Sequence, residues 1–396
     1  MGDADAALER RLRRLREELT DEQLPLPLDG LAGLHLLAEL HYARRPPFHE
    51  NRLPRYGALV FPGVPDWDRF PQVPLLVPAD GIPVEVLRRF ADGRSSFTVT
   101  TPQGLSGLAS FEHSLEDEVA AVRLQRTGAT VVQRSASLVR VCTAGGVIVW
   151  NGSQWLLKPL AEDYVRVVAR LIPHADRAVL AGLLEFAVHS LAAARVGATL
   201  VWNVDGCPPD DPRRGLADRG GARMGPALSV ARRAHFPALL SALSQVDLAT
   251  MVTADGAVGP IGVRLEHTAR AGQLVAALGG ARHTSARRFT FDVPSVLAVV
   301  VWESGRVTLF SGGAVVAEIS FGQQQSTDPS DAPMSGPAGT WQCARCAKLL
   351  VIDADHQAAS GRLLRCPVCA AALAGAPTGA RIIGVKVEAP PALDLG

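Results

Sequence analysis

The sequence has no surplus of charge of either sign: 40 Lys and Arg stand against 39 Asp and Glu, a net charge of +1. A balance so close to zero excludes broad electrostatic capture of nucleic acid or of an anionic membrane and leaves only local patches. Long uninterrupted apolar runs are missing too. The most apolar stretch, VLAGLLEFAVHSLAAARVGATLVW, is broken by Glu185, His189 and Arg195. It reads as a helix followed by a strand, not as a membrane span. A charged start leading into an apolar core and a small-residue cleavage site is absent, so no secretory signal is expected. The protein is therefore expected to be cytoplasmic, without a membrane partner and without nucleic acid as its main ligand.

Cysteine is scarce, six residues in the whole chain. Cys142 and Cys207 stand alone and read as buried or unreactive thiols. What the sequence does contain is globular: 47% apolar and 20% charged residues over 396 positions. That length allows two or three domains, each with its own core.

Five segments follow from composition and periodicity. Residues 1–45 form a helical region in which Leu8, Leu12, Leu15 and Leu19 make an apolar stripe. That stripe needs a surface, either its own domain or a second copy of the chain. Residues 46–160 form an α+β subdomain whose chemistry the residues do not reveal: EDEVAAVRLQRTG reads as a helix, TVVQRSASLVRVC and GVIVWNG as strands. From 161 to 320 helical and strand patterns alternate, implying an α/β layer architecture. Two closing strands, PSVLAVVVWES and RVTLFSGG, suggest a mixed sheet. Residues 321–340 are rich in Gln, Ser, Pro and Gly and read as a flexible linker. Residues 341–396 are a small separate module with a tail.

That module holds the other four cysteines. Cys343, Cys346, Cys366 and Cys369 stand as two C-x2-C knuckles separated by nineteen residues. Two such knuckles close a tetrahedral Zn²⁺ site, and in so small a module the metal would supply folding free energy. Disulfides are the competing reading, disfavoured in a cytosolic chain. Four cysteines complete the shell without His356, so the zinc is expected to be structural. The mixed charge of the ribbon suits a protein partner at least as well as nucleic acid.

Two short stretches in 161–320 carry candidate chemistry. TADGAVG, Thr253 to Gly259, sets Asp255 beside a glycine at a loop-to-strand boundary. Asp255 could hold a divalent cation or help deprotonate a hydroxyl, or it could simply make a turn. GGARHTSARR, Gly279 to Arg288, combines glycines for close backbone approach with Arg282 and His283 for phosphate and the hydroxyls of Thr284 and Ser285. Read alone, it is a surface loop with ordinary solvated charges.

Taken in order, these elements resemble the diadenylate cyclase (DisA-type DAC) domain family, whose layout is Asp-Gly-Ala, a helix, Gly-Thr-Arg-His-Arg-x-Ala, and a buried strand ending near an acidic residue. The resemblance spans roughly residues 175 to 317, from EFAVHSLAAARVGATLVW through SALSQVDLATMVTADGAV to the strand VVVWESG. It implies a DAC-like mixed sheet flanked by helices, and a nucleotide site that joins two ATP into cyclic di-AMP between facing subunits with Mg²⁺ or Mn²⁺. By resemblance Asp255 would be the metal-binding catalytic acid, and Gly256 and Ala257 would admit the nucleotide. Gly280, Arg282, His283, Thr284 and Ser285 would form the phosphate-binding edge, with Glu303 at the acidic position.

Two departures stand out. Ala281 replaces the Thr before Arg-His, and Thr284 replaces the Arg after it. A hydroxyl cannot reproduce a bidentate guanidinium grip on phosphate, so turnover should suffer more than binding. Arg287 or Arg288 would have to substitute, or both are solvated. The reading is a sensor or regulatory protein binding ATP or a cyclic dinucleotide, with the ribbon or N-terminal helix relaying the signal. An active metal-dependent diadenylate cyclase and a zinc-ribbon adaptor are the alternatives.

Overall fold

The computed structural model describes residues 2–46, 53–70, 72–135, 138–204, 217–218, 223–278, 280–319, 338–342, 349–353 and 381–385. The chain divides into two compact units, the first over Met1–Leu160 and the second beginning at Ala161. No helix among the described residues is long and apolar enough to cross a membrane.

The first unit is built on eight strands: β1 (Tyr56–Val60), β2 (Leu75–Pro78), β3 (Ser96–Thr101), β4 (Gly104–Ser110), β5 (Thr130–Ser135), β6 (Leu138–Thr143), β7 (Gly146–Trp150) and β8 (Trp155–Lys158). They lie in the order β2-β4-β3-β1-β5-β6-β7-β8, and β1 and β3 run parallel while the other pairs are antiparallel. Alternation along each strand sorts the side chains into two cores. On β1, Tyr56, Ala58 and Val60 join Leu15, Leu19, Leu36, Leu37 and Leu40 of helices α1 (Gly2–Asp21) and α2 (Gly30–Arg44). Leu59 faces the other way, into an aromatic core with Phe61, Phe97 and Phe111 beneath α4 (Glu118–Gln125). The stripe on α1 therefore docks on its own unit, with Leu8 left 44% exposed at the outer end. A single turn of helix, α3 (Val84–Leu87), precedes β3.

Two polar clusters are sealed into this unit. Glu39 takes a bidentate pair from Arg88 and a hydrogen bond from the Tyr56 hydroxyl. Lys158 pairs with Glu118, both buried, and Arg140 Nε lies 3.6 Å from the same carboxylate. Cys142 is fully buried, and burial pushes its thiol up to about 12, so it is unreactive as expected.

The second unit opens with α5 (Ala161–Leu171) and α6 (Arg177–Glu185), which is capped by Asp176 and passes into a π-helical turn at Phe186–Leu191. Its sheet is β9 (Ala198–Asn203), the short β10 (Ala217–Asp218) and β11 (Arg223–Met224), β12 (Ala249–Val252), β13 (Val258–Leu265), β14 (Val296–Val301), β15 (Val307–Ser311) and β16 (Ala314–Ile319). The order is β10-β13-β12-β9-β14-β15-β16, with β11 also on β13. β9 and β12 are parallel and their neighbours antiparallel, which makes the sheet mixed. Helices α7 (Phe236–Leu243), α8 (Ala269–Leu274) and α9 (Ala281–Asp292) complete the unit, and α9 docks Ala286 and Phe289 on Val201, Val263, Ala298 and Val300 of the sheet.

Three elements depart from the sequence reading. ATMV, expected within a loop, is strand β12; β16 adds a third closing strand; and the stretch from Ala281 to Arg288 is the start of α9, not a loop. Helix α9 buries His283, Ala286, Arg287, Phe289, Thr290 and Phe291, a face half made of polar residues. Beyond the second unit's sheet, β17 (Ala338–Gln342), β18 (Leu349–Asp353) and β19 (Arg381–Val385) pair antiparallel. Cys343, Cys346, Cys366, Cys369, His356 and Cys207 lie outside the described residues.

Candidate functional site

A cleft of about 760 Å³ opens at one end of the second sheet. It sits where β9 and β12 begin and β13 and β14 end, and its lining includes Thr199, Ala249, Val263, Leu265, Val300 and Val301 from those strands. The first residues of α9 close one side: Gly280, Ala281, Arg282, His283, Thr284 and Ser285 all line it. Trp302 and Glu303, just past β14, line it too, as do Asp247 and Leu248 before β12. Six of the nine nucleotide-site residues read from the sequence are thus gathered in one place.

Gly280 is the N-cap of α9 and has no side-chain cap, and the space beside it is open. The first backbone N–H groups of a helix lack intrahelical partners and carry the positive end of its dipole. Here they border the cleft, an arrangement that favours an anion. Arg282, 37% exposed, adds a full positive charge at the same place. Its Nη2 donates to Asp247 Oδ1 at 2.7 Å, and that bond holds the Asp247 carboxyl below the usual carboxylate range.

Gly197 makes room for this side chain. A Cβ built there would collide with the Arg282 guanidinium and crowd Glu303. Neither Gly197 nor Asp247 stood out in the sequence. Asp247 lies between Val246 and Leu248 just before ATMV, and Gly197 in the turn that starts β9.

His283 does not add a second charge. It is buried, its Nε2 lies 3.3 Å from Thr308 Oγ1, and its ring sits 4.1 Å from that of Trp302. Burial, then Arg306 and Arg282, lower its pKa to about 4, so at neutral pH it is an uncharged ring. The Trp302 indole N–H is buried without a partner among the described residues. The hydroxyls turn back on the protein: Thr284 Oγ1 accepts from Leu278 N–H at 3.3 Å and Ser285 Oγ donates to Arg282 O at 3.1 Å.

The arginines considered as substitutes both have partners elsewhere, Arg287 buried and Arg288 half-buried. Arg287 is buried and donates to Gly313 O and Ala276 O. Arg288 Nε donates to Val275 O at 3.2 Å, with Nη1 3.3 Å from His267 Nε2.

Asp255, Gly256 and Ala257 are not brought to this cleft. They lie in the turn after β12, whereas the cleft opens where β12 begins. Four extended residues separate the two ends by roughly 13 Å. Asp255 Oδ1 accepts from Thr253 Oγ1 at 2.5 Å and from Ala257 N–H at 3.3 Å, which lowers its pKa and ties that oxygen to its own turn. Gly256 supplies the φ of +82° that the turn requires. Among the described residues no group of three or more His, Cys, Asp or Glu side chains converges on a point where a metal could sit.

The cleft can therefore take a molecule with an anionic end, held by the start of α9 and Arg282, and an apolar body against Leu248, Val263, Leu265 and Trp302. No curated protein matches the chain. Residues 13–158 match the family described as "Probable sensor domain DACNK", so the first unit is similar to a sensor domain.

Proposed function

We propose that the protein is a sensory or regulatory protein whose second unit binds a nucleotide, ATP or a cyclic dinucleotide, in the cleft at the start of α9. The observation that carries this reading is the uncapped N-terminus of α9 beside Arg282 in a cleft of about 760 Å³, large enough for a nucleotide. The similarity of residues 13–158 to a sensor domain supports the sensory half of the reading.

Binding is favoured over turnover on three grounds. Thr284 stands where the resembled family has a second phosphate-facing arginine, and its hydroxyl is engaged with Leu278. Arg287 is committed to backbone carbonyls. The Asp255 carboxylate is held in a turn at the other end of β12. Phosphoryl transfer depends on positioned charge around the phosphates, and of the two arginines lining this cleft, Arg264 and Arg282, only Arg282 stands at the start of α9.

The four cysteines of the C-terminal module belong to the same proposal as a structural zinc site, with a protein partner reading the ribbon and the chain acting as a homo-oligomer. Isothermal titration of the full-length protein with ATP and with cyclic di-AMP tests the nucleotide reading. Saturable binding is expected, weakened about tenfold or more by Arg282→Ala, the usual scale for a charged hydrogen-bonding partner of phosphate. Failure to bind either ligand, or equal affinity in Arg282→Ala, would overturn it.

A further inference from the structure

The Arg282 guanidinium is not idle in the structure: Asp247 holds it at 2.7 Å, inside the cleft that both residues line. Asp247 is itself set up by its own turn. Its Oδ1 also accepts the backbone N–H of Leu248 at 3.0 Å. Leu248 adopts φ +70°, a left-handed conformation that a leucine rarely takes and that must be held by its surroundings. The pair is half-open to water, with the Asp247 side chain 75% exposed and that of Arg282 37% exposed. An ion pair so exposed is weak and is readily exchanged for a better acceptor.

From this geometry we infer that Asp247 is an internal competitor for the anionic group of the ligand, occupying Arg282 until a phosphate displaces it and so setting the affinity threshold of the cleft. This inference rests on the nucleotide reading above. A carboxylate presents the same planar pair of oxygens to a guanidinium as a phosphate edge does. The arriving phosphate must break the Asp247–Arg282 pair and then tolerate a carboxylate close by. Both effects work against binding, and only ligands offering more charge or more acceptor atoms than Asp247 overcome them. Asp247 is thus a residue that determines specificity without touching the ligand: its removal opens the cleft to weaker anions.

A double-mutant cycle separates this role from a general change of charge. Asp247→Asn keeps an oxygen for the Leu248 N–H and removes the charge, and at so exposed a position it should leave the melting temperature unchanged. Titrating ATP, in buffer without added divalent cation, against wild type, Asp247→Asn, Arg282→Ala and the double variant, Asp247→Asn is expected to bind about two- to fivefold tighter than wild type, the span of an exposed charge pair. The gain is expected to vanish in the Arg282→Ala background.

If wild type binds and Asp247→Asn binds equally or more weakly, the competitor role is overturned while the nucleotide reading stands. A gain that persists without Arg282 overturns it as well, since Asp247 would then act through its charge alone. If neither wild type nor Asp247→Asn binds ATP or cyclic di-AMP, both readings fall.

Discussion

His283 lies beside Trp302 with its Nε2 near Thr308, and burial keeps its ring neutral at physiological pH. The sign of its effect on stability follows. The folded pKa of about 4 lies below the ordinary 6.5, so no contribution is lost at neutral pH. As pH falls through 6.5 the unfolded chain takes up a proton that the native ring refuses. Stability is expected to fall between pH 6.5 and about 4, visible as a dropping melting temperature that is flatter in His283→Gln. A His283 ring resonance titrating near 6.5 in the folded protein would contradict this.

Gly197 gives a second test at the scale of one residue. Its missing side chain is where the Arg282 guanidinium rests, so Gly197→Ala should displace the tip of a flexible side chain and weaken ATP binding several-fold. The displaced group can move, so the melting temperature should change little. An unchanged affinity would mean that Arg282 acts from another position.

At the scale of elements, legibility followed the contrast between apolar and polar faces. Strand β14 is buried along its whole length and was plain as PSVLAVVVWES. The start of α9 was not, because its inward face carries His283, Arg287 and Thr290 among Ala286 and Phe289, and polar residues that satisfy themselves inside a fold hide a helical period. Strand β12 was missed because four residues between polar turns give too short an alternation to register. The site was half-legible for the same reason. Arg282 and Gly280 stood in a recognisable stretch, while their partners Asp247 and Gly197 come from turns that only the sheet brings near.

Two elements invite direct tests. β8 carries Lys158 into the sheet interior against Glu118 of α4. Lys158→Met removes the ammonium from that buried carboxylate, and denaturant unfolding is expected to show a loss of about 3 kcal/mol, as for a broken buried pair. A loss below about 1 kcal/mol, the scale of an exposed pair, would mean that the remaining partners of Glu118, Arg140 among them, suffice. The turn entering β12 holds Leu248 at φ +70°, so Leu248→Gly should stabilise by about 0.5–1 kcal/mol by relieving a left-handed leucine.

At the scale of the whole molecule, a chain with almost no net charge combines a unit similar to a sensor domain with a unit whose cleft favours an anion. The preference for an anion is therefore local to the cleft, at the start of α9 and Arg282, and does not come from a surplus of charge on the whole chain. Binding should depend only mildly on salt and should not extend to nucleic acid. The four-cysteine module adds an expectation for the full chain: one zinc per chain by elemental analysis, lost when Cys343 and Cys366 are both changed to Ser.

The central claim is that the start of α9 and Arg282 receive the phosphate of a nucleotide. A crystal structure of the full chain with cyclic di-AMP or ATP bound tests it most directly. The account expects a phosphate against the backbone N–H groups of Ala281 and Arg282, with the Arg282 guanidinium turned from Asp247 to the ligand. A nucleotide bound elsewhere, with the Asp247–Arg282 pair intact, would contradict it.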